Sequence, residues 1–562
     1  MNHEKAGGYI SRITFNNGES LDISRDDIVI FVGPNNAGKS QSLKDIYTLS
    51  EQKMPTTVIS DINITKNNLP ISATLEKLSE GEHRGGFTTY IVLNHRMHIY
   101  NSTDESFLSE QYYGEYRALF VANLDTAARL TICSPPNSIP RNASKQHPIH
   151  YAAFSSNYRK WLSDSFKKAF GIEVTPNTQY GSQIPLCIGE PVQLTGQYKD
   201  EQDRQEAYAR ILDTYKQVQN QGDGIKSFTG ILLYLMLDYY CTYLIDEPES
   251  FLHPPQARIM GQIIGQTLAD QQQAFISTHS EEIIKGLLEA CPNRIKIIRI
   301  TREEDTNSFS VLNNQEFRQV WNDPILRYSN IMASLFHKTV VLCESDSDCK
   351  MYSIIESHIK QRQGKYSETL FIHCGGKHRM AKIVKALRSL NVNTKLITDI
   401  DVLNDETVFQ GIVESYGIDY DAIRTDYKNI VSNLHSDKEK SNRIAAKSAI
   451  SQIMDNGKSA ELSKNELKQI RDIISTTSIW SKLKSSGVSA LPSGNATASF
   501  KHMEQVLQGN GIYIVPVGEL ECFVREVGGH GPEWANTVLE RYPNLDDAVY
   551  HRITEFIESM EL

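Results

Sequence analysis

The sequence predicts a two-part α/β protein, and three patterns predict it. An apolar strand runs into a glycine-rich turn over residues 28–40, and a second apolar strand ends in the acids Asp246 and Glu247. Beyond Leu335, short apolar strands alternate with helices, the pattern of a parallel sheet covered by helices. At 562 residues the chain exceeds what one core supports. The expected division is a first domain over residues 1–330, with an insertion at about 134–220, and a second over 331–562, with a helical insertion at about 402–490.

Composition narrows the class. Hydrophobic residues make up 40% and charged residues 22% of the chain, as in ordinary globular proteins. The most apolar stretch, residues 231–245 (ILLYLMLDYYCTYLI), is too short to span a bilayer and contains Asp238, so it reads as buried core and no membrane partner is expected. The opening segment MNHEKAGGYISRITF lacks the apolar core of a secretion signal. Eight scattered cysteines without a CxxC pair fit free thiols in a reducing cytoplasm. A formal charge of −10 gives no global attraction for nucleic acid, so any such contact requires a local basic patch.

In the first domain, the loop GPNNAGKS after the strand IVIFV completes the pattern GxxxxGK[ST] with Gly33, Gly38, Lys39 and Ser40. Its backbone N–H groups, including those of Asn35 and Asn36, would cradle the phosphates of ATP. Lys39 would reach the β and γ oxygens, and Ser40 would ligate Mg²⁺. Lys39 is expected to stand exposed until phosphate arrives. The strand CTYLI ends in Asp246, expected to hold Mg²⁺ through its waters, and Glu247, placed to take a proton from the attacking water. After the strand QAFIS comes His279, placed to sense or polarise the γ-phosphate.

These motifs, in this order, resemble the ABC-type ATPases, in the branch with SMC-like and DNA-repair members. DEPESFLHP, with His253, is similar to that branch's extended Walker B. The resemblance implies hydrolysis between two heads, the second lending a signature loop. The usual LSGGQ is absent, and QGDGIKSFTGILLYL stands in its place, making Gly224 and Ser227 the candidates for that contact with ATP. Between these motifs lies the insertion, loop-like over SPPNSIPRNASKQHP and partly helical from Tyr158 to Tyr215, available as a dimer contact or a partner surface.

The second domain carries strands TVVLCE, ETLFIHCGG, TKLITDID and, later, GIYIVPVGELECF. The helix after the first would be capped by Ser345 or Asp346. At the strand ends lie Glu344 and Asp348, then Gly375, Gly376 and Lys377, then Asp399 and Asp401, and finally Glu519 and Glu521. A parallel sheet gathers such residues at one edge. Clustered carboxylates repel unless cations neutralise them, and oxygen-only ligands suit Mg²⁺ or Mn²⁺, as a pair of ions in phosphodiester chemistry. Asp346 and Asp405 read as solvated turn carboxylates. Helix KHRMAKIVKALR has no acid, and Lys382, Lys385 and Arg388 recur along it with Lys377 on the same side, a candidate DNA-binding row. The polar insertion that follows includes DKEK and KNELK.

A Glu after the first strand and a D-x-D after the third resemble the TOPRIM fold. An ABC-type ATPase joined to a TOPRIM domain resembles the OLD (overcoming lysogenisation defect) nucleases. The resemblance implies metal ligation by Glu344, Asp348, Asp399, Asp401 and Glu521, with Glu519 as the alternative late Glu. Some members use a catalytic Lys after that Glu, and this chain has no Lys beyond Lys501; Lys377, Lys501 or His530 could replace it, with Lys377 read as the catalytic one. The resemblance further implies DNA as substrate, a homodimer or higher homo-oligomer, and antiphage defence, alone or beside a helicase or a retron reverse transcriptase with its RNA–DNA product. A DNA-binding ATPase clamp whose TOPRIM domain is not a nuclease is the alternative. A topoisomerase needs a nucleophilic Tyr on an extra domain and a primase a zinc or basic N-terminal module, and neither is evident in this sequence.

Overall fold

The computed structural model describes residues 6–562 except 80–81, 85–86, 93–94, 101, 191, 193, 195, 238–239, 269–271, 305, 313–321, 323–329, 437–442, 457–460 and 475–478. The chain forms two compact units, Met1–Asn314 and Gln315–Leu562. The expected boundary at residue 330 adjoins residues outside the described ones, and Asp238 and the DKEK stretch lie among them.

The first unit is built on a six-stranded sheet of β1 (Ile28–Val32), β2 (Val121–Leu124), β3 (Thr242–Asp246), β4 (Gln273–Ser277), β5 (Ile295–Glu303) and β6 (Thr306–Val311). Its spatial order is β6-β5-β1-β4-β3-β2, parallel except for the edge strand β6. All five residues of β1 are buried, because helices cover both faces of a parallel sheet and leave no solvent side for polar alternation. Val29, Phe31, Leu244, Phe275 and Ile298 belong to one core cluster. Around the sheet stand α1 (Lys39–Leu49), α2 (Thr126–Thr131), α3 (Asp223–Leu235), α4 (Pro254–Thr267) and α5 (Glu281–Ala290).

Apart from half-buried Tyr234, the described residues of the apolar stretch 231–245 are buried, and the stretch is two elements: α3 ends at Leu235 and β3 begins at Thr242. The insertion holds helices Pro148–Phe154, Ser156–Phe170 and Glu201–Asp213 and an antiparallel sheet of Glu173–Pro176, Leu186–Gly189 and Lys216–Gln217.

The second unit has a four-stranded parallel sheet of β7 (Thr339–Cys343), β8 (Thr369–His373), β9 (Asn393–Thr398) and β10 (Ile512–Ile514), in the order β8-β7-β9-β10. Val341, Ile397 and Tyr513 share a core with Met351, Ile355, Trp534 and Val538. Helix α6 (Asp346–Arg362) follows β7, and α7 (Met380–Ser389) follows β8. Among the described residues six α-helices lie between β9 and β10, the fifth being α8 (Ile479–Ser486) at the end of the insertion and the sixth Asn495–Gln508. Helix α9 (Gly531–Arg541) follows β10. The last strand is shorter than its sequence suggests: three residues, with Glu519 and Glu521 beyond it, Glu521 in the 3-10 turn Leu520–Phe523.

Candidate functional sites: a phosphate-binding loop and an acidic sheet edge

In the first unit, β1 delivers the loop Gly33–Ser40 to the start of α1, where phosphate-binding N–H groups are needed. Gly33 has φ 144°, and a Cβ there would lie 2.0 Å from the Ile300 carbonyl oxygen, so no other residue fits. Asn35 and Asn36 are exposed at the loop tip, and Ser40 is half-buried in the first turn of α1.

Lys39 departs from expectation. Its side chain is buried, and its ammonium donates to the carbonyls of Gly33 at 3.0 Å and Pro34 at 2.7 Å. The inward-facing carbonyls of the loop are the nearest acceptors, so the side chain folds onto them rather than standing out in water. Burial lowers its pKa to about 8, against the pull of Glu247, Glu249 and Asp246.

Asp246 and Glu247 sit where β3 ends. The Ser277 hydroxyl donates to Asp246 Oδ1. Glu247 has φ 47°, a left-handed conformation that costs a residue with a Cβ about 1–2 kcal/mol. Its Oε2 accepts from the Ser250 hydroxyl at 3.2 Å, and its Oε1 lies 3.6 Å from His279 Nε2. Burial, then Lys39, lowers the His279 pKa, which favours a neutral ring beside Glu247. Glu249, which sequence reasoning passed over, accepts the His279 backbone N–H at 2.6 Å, and burial raises its pKa. His253 is exposed and precedes α4 as its N-cap; its backbone N–H donates to Gln256 at 3.3 Å.

The two signature candidates separate. Helix α3 starts at Asp223, which turns Ser227 inward, and Ser227 is fully buried. Gly224 is half-buried in the first turn, against the Phe251 carbonyl.

In the second unit, the strand ends converge as the topology requires. Glu344, Asp399 and Asp401 offer ligand atoms within 4.8 Å of one another, and so do Glu519, Glu521 and His530. Asp348 joins neither group. Its carboxylate is turned back to accept the Ser345 backbone N–H at 2.8 Å, while Ser345 Oγ accepts the Asp348 N–H at 3.3 Å, a capping box at the start of α6. Ser345 is thus the cap, and Asp346 is an exposed acid paired with Lys350 at 2.7 Å. Asp405 likewise caps a helix, accepting the Val408 N–H at 3.1 Å. Glu521 Oε1 accepts the Gly531 N–H at 2.8 Å.

Two ammonium groups enter the cluster. Lys377 lies 3.3 Å from Asp401 Oδ2 and donates to the Asp401 carbonyl at 3.1 Å. Lys484, which was not singled out from sequence, lies 3.3 Å from Glu519, 3.8 Å from Asp399 and 4.0 Å from Asp401. It arrives on α8, the end of the helical insertion. Burial opposes its charge, but Asp399, Asp401 and Glu519 hold its pKa above the ordinary value. Lys501 is exposed on the helix Asn495–Gln508; among the described residues, Lys377 and Lys484 are the lysines that pair with these acids.

The donor set fits a hard divalent cation. Burial raises the pKa of Glu344, with Asp401 adding to it, and raises that of Asp348; Asp399 is pushed well above the usual carboxylate range by burial, Glu344 and Asp348. Glu344 Oε2 is buried with no hydrogen-bond partner. Ionised carboxylates so arranged are costly without a cation to share. Along α7, Lys382, Lys385 and Arg388 are exposed while Met380, Ile383, Val384 and Leu387 are buried. Arg388 also packs over the Tyr416 ring, 5.3 Å from its centroid.

The chain is similar to known proteins in two separate stretches. Residues 124–285 match the AAA domain model whose description names the AbiEii toxin of a Type IV TA system. Residues 335–401 match the TOPRIM domain of overcoming lysogenization defect protein-like sequences. The Old nuclease of Escherichia phage P2 is 22% identical over 326 residues, covering 54% of this chain and 49% of that protein; the chain thus spans about half the length of this curated relative. Among solved structures, the Smc head domain from Pyrococcus furiosus is 11% identical at a TM-score of 0.32, over 56% of this chain and 98% of that one. The SMC head domain from Thermotoga maritima is 12% identical at 0.28, over 55% and 98%. The chain thus carries a match to an AAA domain model followed by a match to the OLD-like TOPRIM domain model, and over part of its length it is similar to the Old nuclease.

Proposed function

We propose that the chain is an ATP-controlled, divalent-metal-dependent DNA endonuclease that acts in antiphage defence as a homodimer or higher homo-oligomer. The observation that carries this reading is the convergence of Glu344, Asp399, Asp401, Glu519 and Glu521 on one sheet edge, with Lys377 and Lys484 between them. Glu344, Asp399 and Asp401 would hold one Mg²⁺ or Mn²⁺, and Glu519 and Glu521 with His530 a second. When bound, such ions supply Lewis acidity and an activated water for in-line displacement at phosphorus. Lys377 and Lys484 offer positive charge to the phosphate, and Lys382 and Lys385 extend that field along α7 to the DNA backbone.

In the first unit, Lys39 and the N–H groups of its loop bind the phosphates of ATP, with Ser40 and Asp246 as the Mg²⁺ residues. Glu247 accepts the proton of the attacking water, and the neutral His279 faces the γ-phosphate. Gly224 and Ser227 are the candidates for contact with ATP on a second copy. The proposed setting is a retron effector, partnered by the reverse transcriptase with its RNA–DNA product; a helicase partner is the competing setting, and gene neighbourhood separates them.

Asp399→Ala and Asp401→Ala should each eliminate Mg²⁺- or Mn²⁺-dependent plasmid cleavage while ATP hydrolysis persists, because each removes one ligand from a shared ion and touches no ATPase motif. Intact cleavage in either variant would remove this edge from the nuclease. Wild-type protein that binds DNA with ATP but never cuts it would favour the clamp.

A further inference from the structure

We infer that Arg129 is a positioning residue of ATP hydrolysis, setting the backbone that aims Glu247. The inference rests on the assignment of Glu247 as the base.

Arg129 lies in α2, directly after β2, and its residue is wholly buried. No carboxylate pairs with it among the described residues. Its Nη1 donates instead to two backbone carbonyls, those of Asp246 at 2.5 Å and Glu247 at 3.2 Å. Nη2 donates to Thr126 Oγ1 at 3.2 Å, within its own helix, and Nε finds no partner. A buried guanidinium spent on main-chain oxygens is an expensive choice unless it fixes something.

What it fixes follows from which carbonyls it holds. The Asp246 carbonyl belongs to the peptide before the Glu247 Cα, and the Glu247 carbonyl to the peptide after it. The N–H of the first of these peptides is held by the Ser277 carbonyl at 2.9 Å. Pinning both planes determines φ and ψ of Glu247, and that residue has the left-handed φ of 47°. Such conformations persist only where the surroundings over-determine them. The anchor itself is rigid. Asp125 caps α2 by accepting the Ala128 N–H at 2.8 Å, and Gly230 of α3 packs so closely that a Cβ would stand 2.2 Å from the Arg129 carbonyl oxygen. The Cys133 thiol donates to the Lys226 carbonyl at 3.2 Å, a second tie between the segment after α2 and the start of α3.

The test is a double-mutant cycle with Glu247→Gln and Arg129→Met, which keeps length and lets the buried site stay packed, with Arg129→Lys as the conservative variant. Glu247→Gln should lower kcat by about 10²-fold. Arg129→Met should lower it by about as much, as misplacement of a catalytic group by an ångström does, and leave ATP affinity intact. Because Arg129 acts through Glu247, the double variant should turn over no more slowly than the worse single one. Arg129→Lys, still able to donate to both carbonyls, should recover most of the loss. Losses that multiply to about 10⁴-fold, a fall in ATP affinity matching the fall in kcat, or wild-type turnover in Arg129→Met would each overturn the inference. If Glu247→Gln hydrolyses ATP like wild type, the assignment beneath it has failed first.

Discussion

Lys39 spends its charge on its own loop, and ATP must outbid the Gly33 and Pro34 carbonyls to recruit it. With a pKa near 8 before phosphate arrives, the side chain is about half neutral at pH 8. Phosphate oxygens favour the ammonium form, so ATP binding should take up about half a proton at pH 8 and almost none at pH 6.5. Affinity should accordingly weaken as pH rises through and above 8. Titration calorimetry in two buffers of different ionisation enthalpy measures this directly, and equal, near-zero uptake at both pH values would contradict it. The loop's residues were legible in sequence because their chemistry is local: spacing fixes which N–H groups face a phosphate. The burial of Lys39 was not legible, since it depends on where carbonyls point after folding. Arg129 and Lys484 were missed for a related reason: each reaches its partners more than 30 residues away in sequence, from an element without a motif of its own.

The strand ends of the second unit show how far an element can be read. β7, β8 and β9 each end beside residues that sequence alone singled out, because a parallel sheet leaves little choice about which edge they share. The capping role of Asp348 was not legible: an acid four residues after Glu344 reads from sequence as a metal ligand, and in the structure one of its oxygens accepts the Ser345 N–H. Glu344, Asp348 and Asp399 bind protons more tightly folded than unfolded. Metal-free stability should therefore fall as pH rises from the ordinary carboxylate range through their raised values. A cation that shares the ionised acids should restore it, so Mg²⁺ or Mn²⁺ at about 100 times Kd should raise Tm by about 5 °C at pH 8. At pH 5, protons compete and the rise should shrink. Thermal unfolding at both pH values checks the sign; a metal effect as large at pH 5 as at pH 8 would contradict this account of the cluster.

At the scale of the whole molecule, two units with separate chemistry lie in one chain. Their order and kind were legible because each announces itself in a motif: a glycine-rich loop with an acidic strand end in one, and acids at successive strand ends in the other. The partner surface of the 134–220 insertion was not legible, because a small antiparallel sheet with three helices carries no residue pattern tied to one chemistry. The central claim is that nucleotide controls DNA cleavage. Its direct measurement is the cleavage rate on one DNA substrate with Mg²⁺ or Mn²⁺, in the absence of nucleotide, with ATP and with a non-hydrolysable analogue, each with and without the genomic-neighbour partner. The account predicts that the rate differs among the three nucleotide conditions, and that Asp399→Ala is inactive in all of them. Identical wild-type rates in all three, with and without the partner, would contradict it.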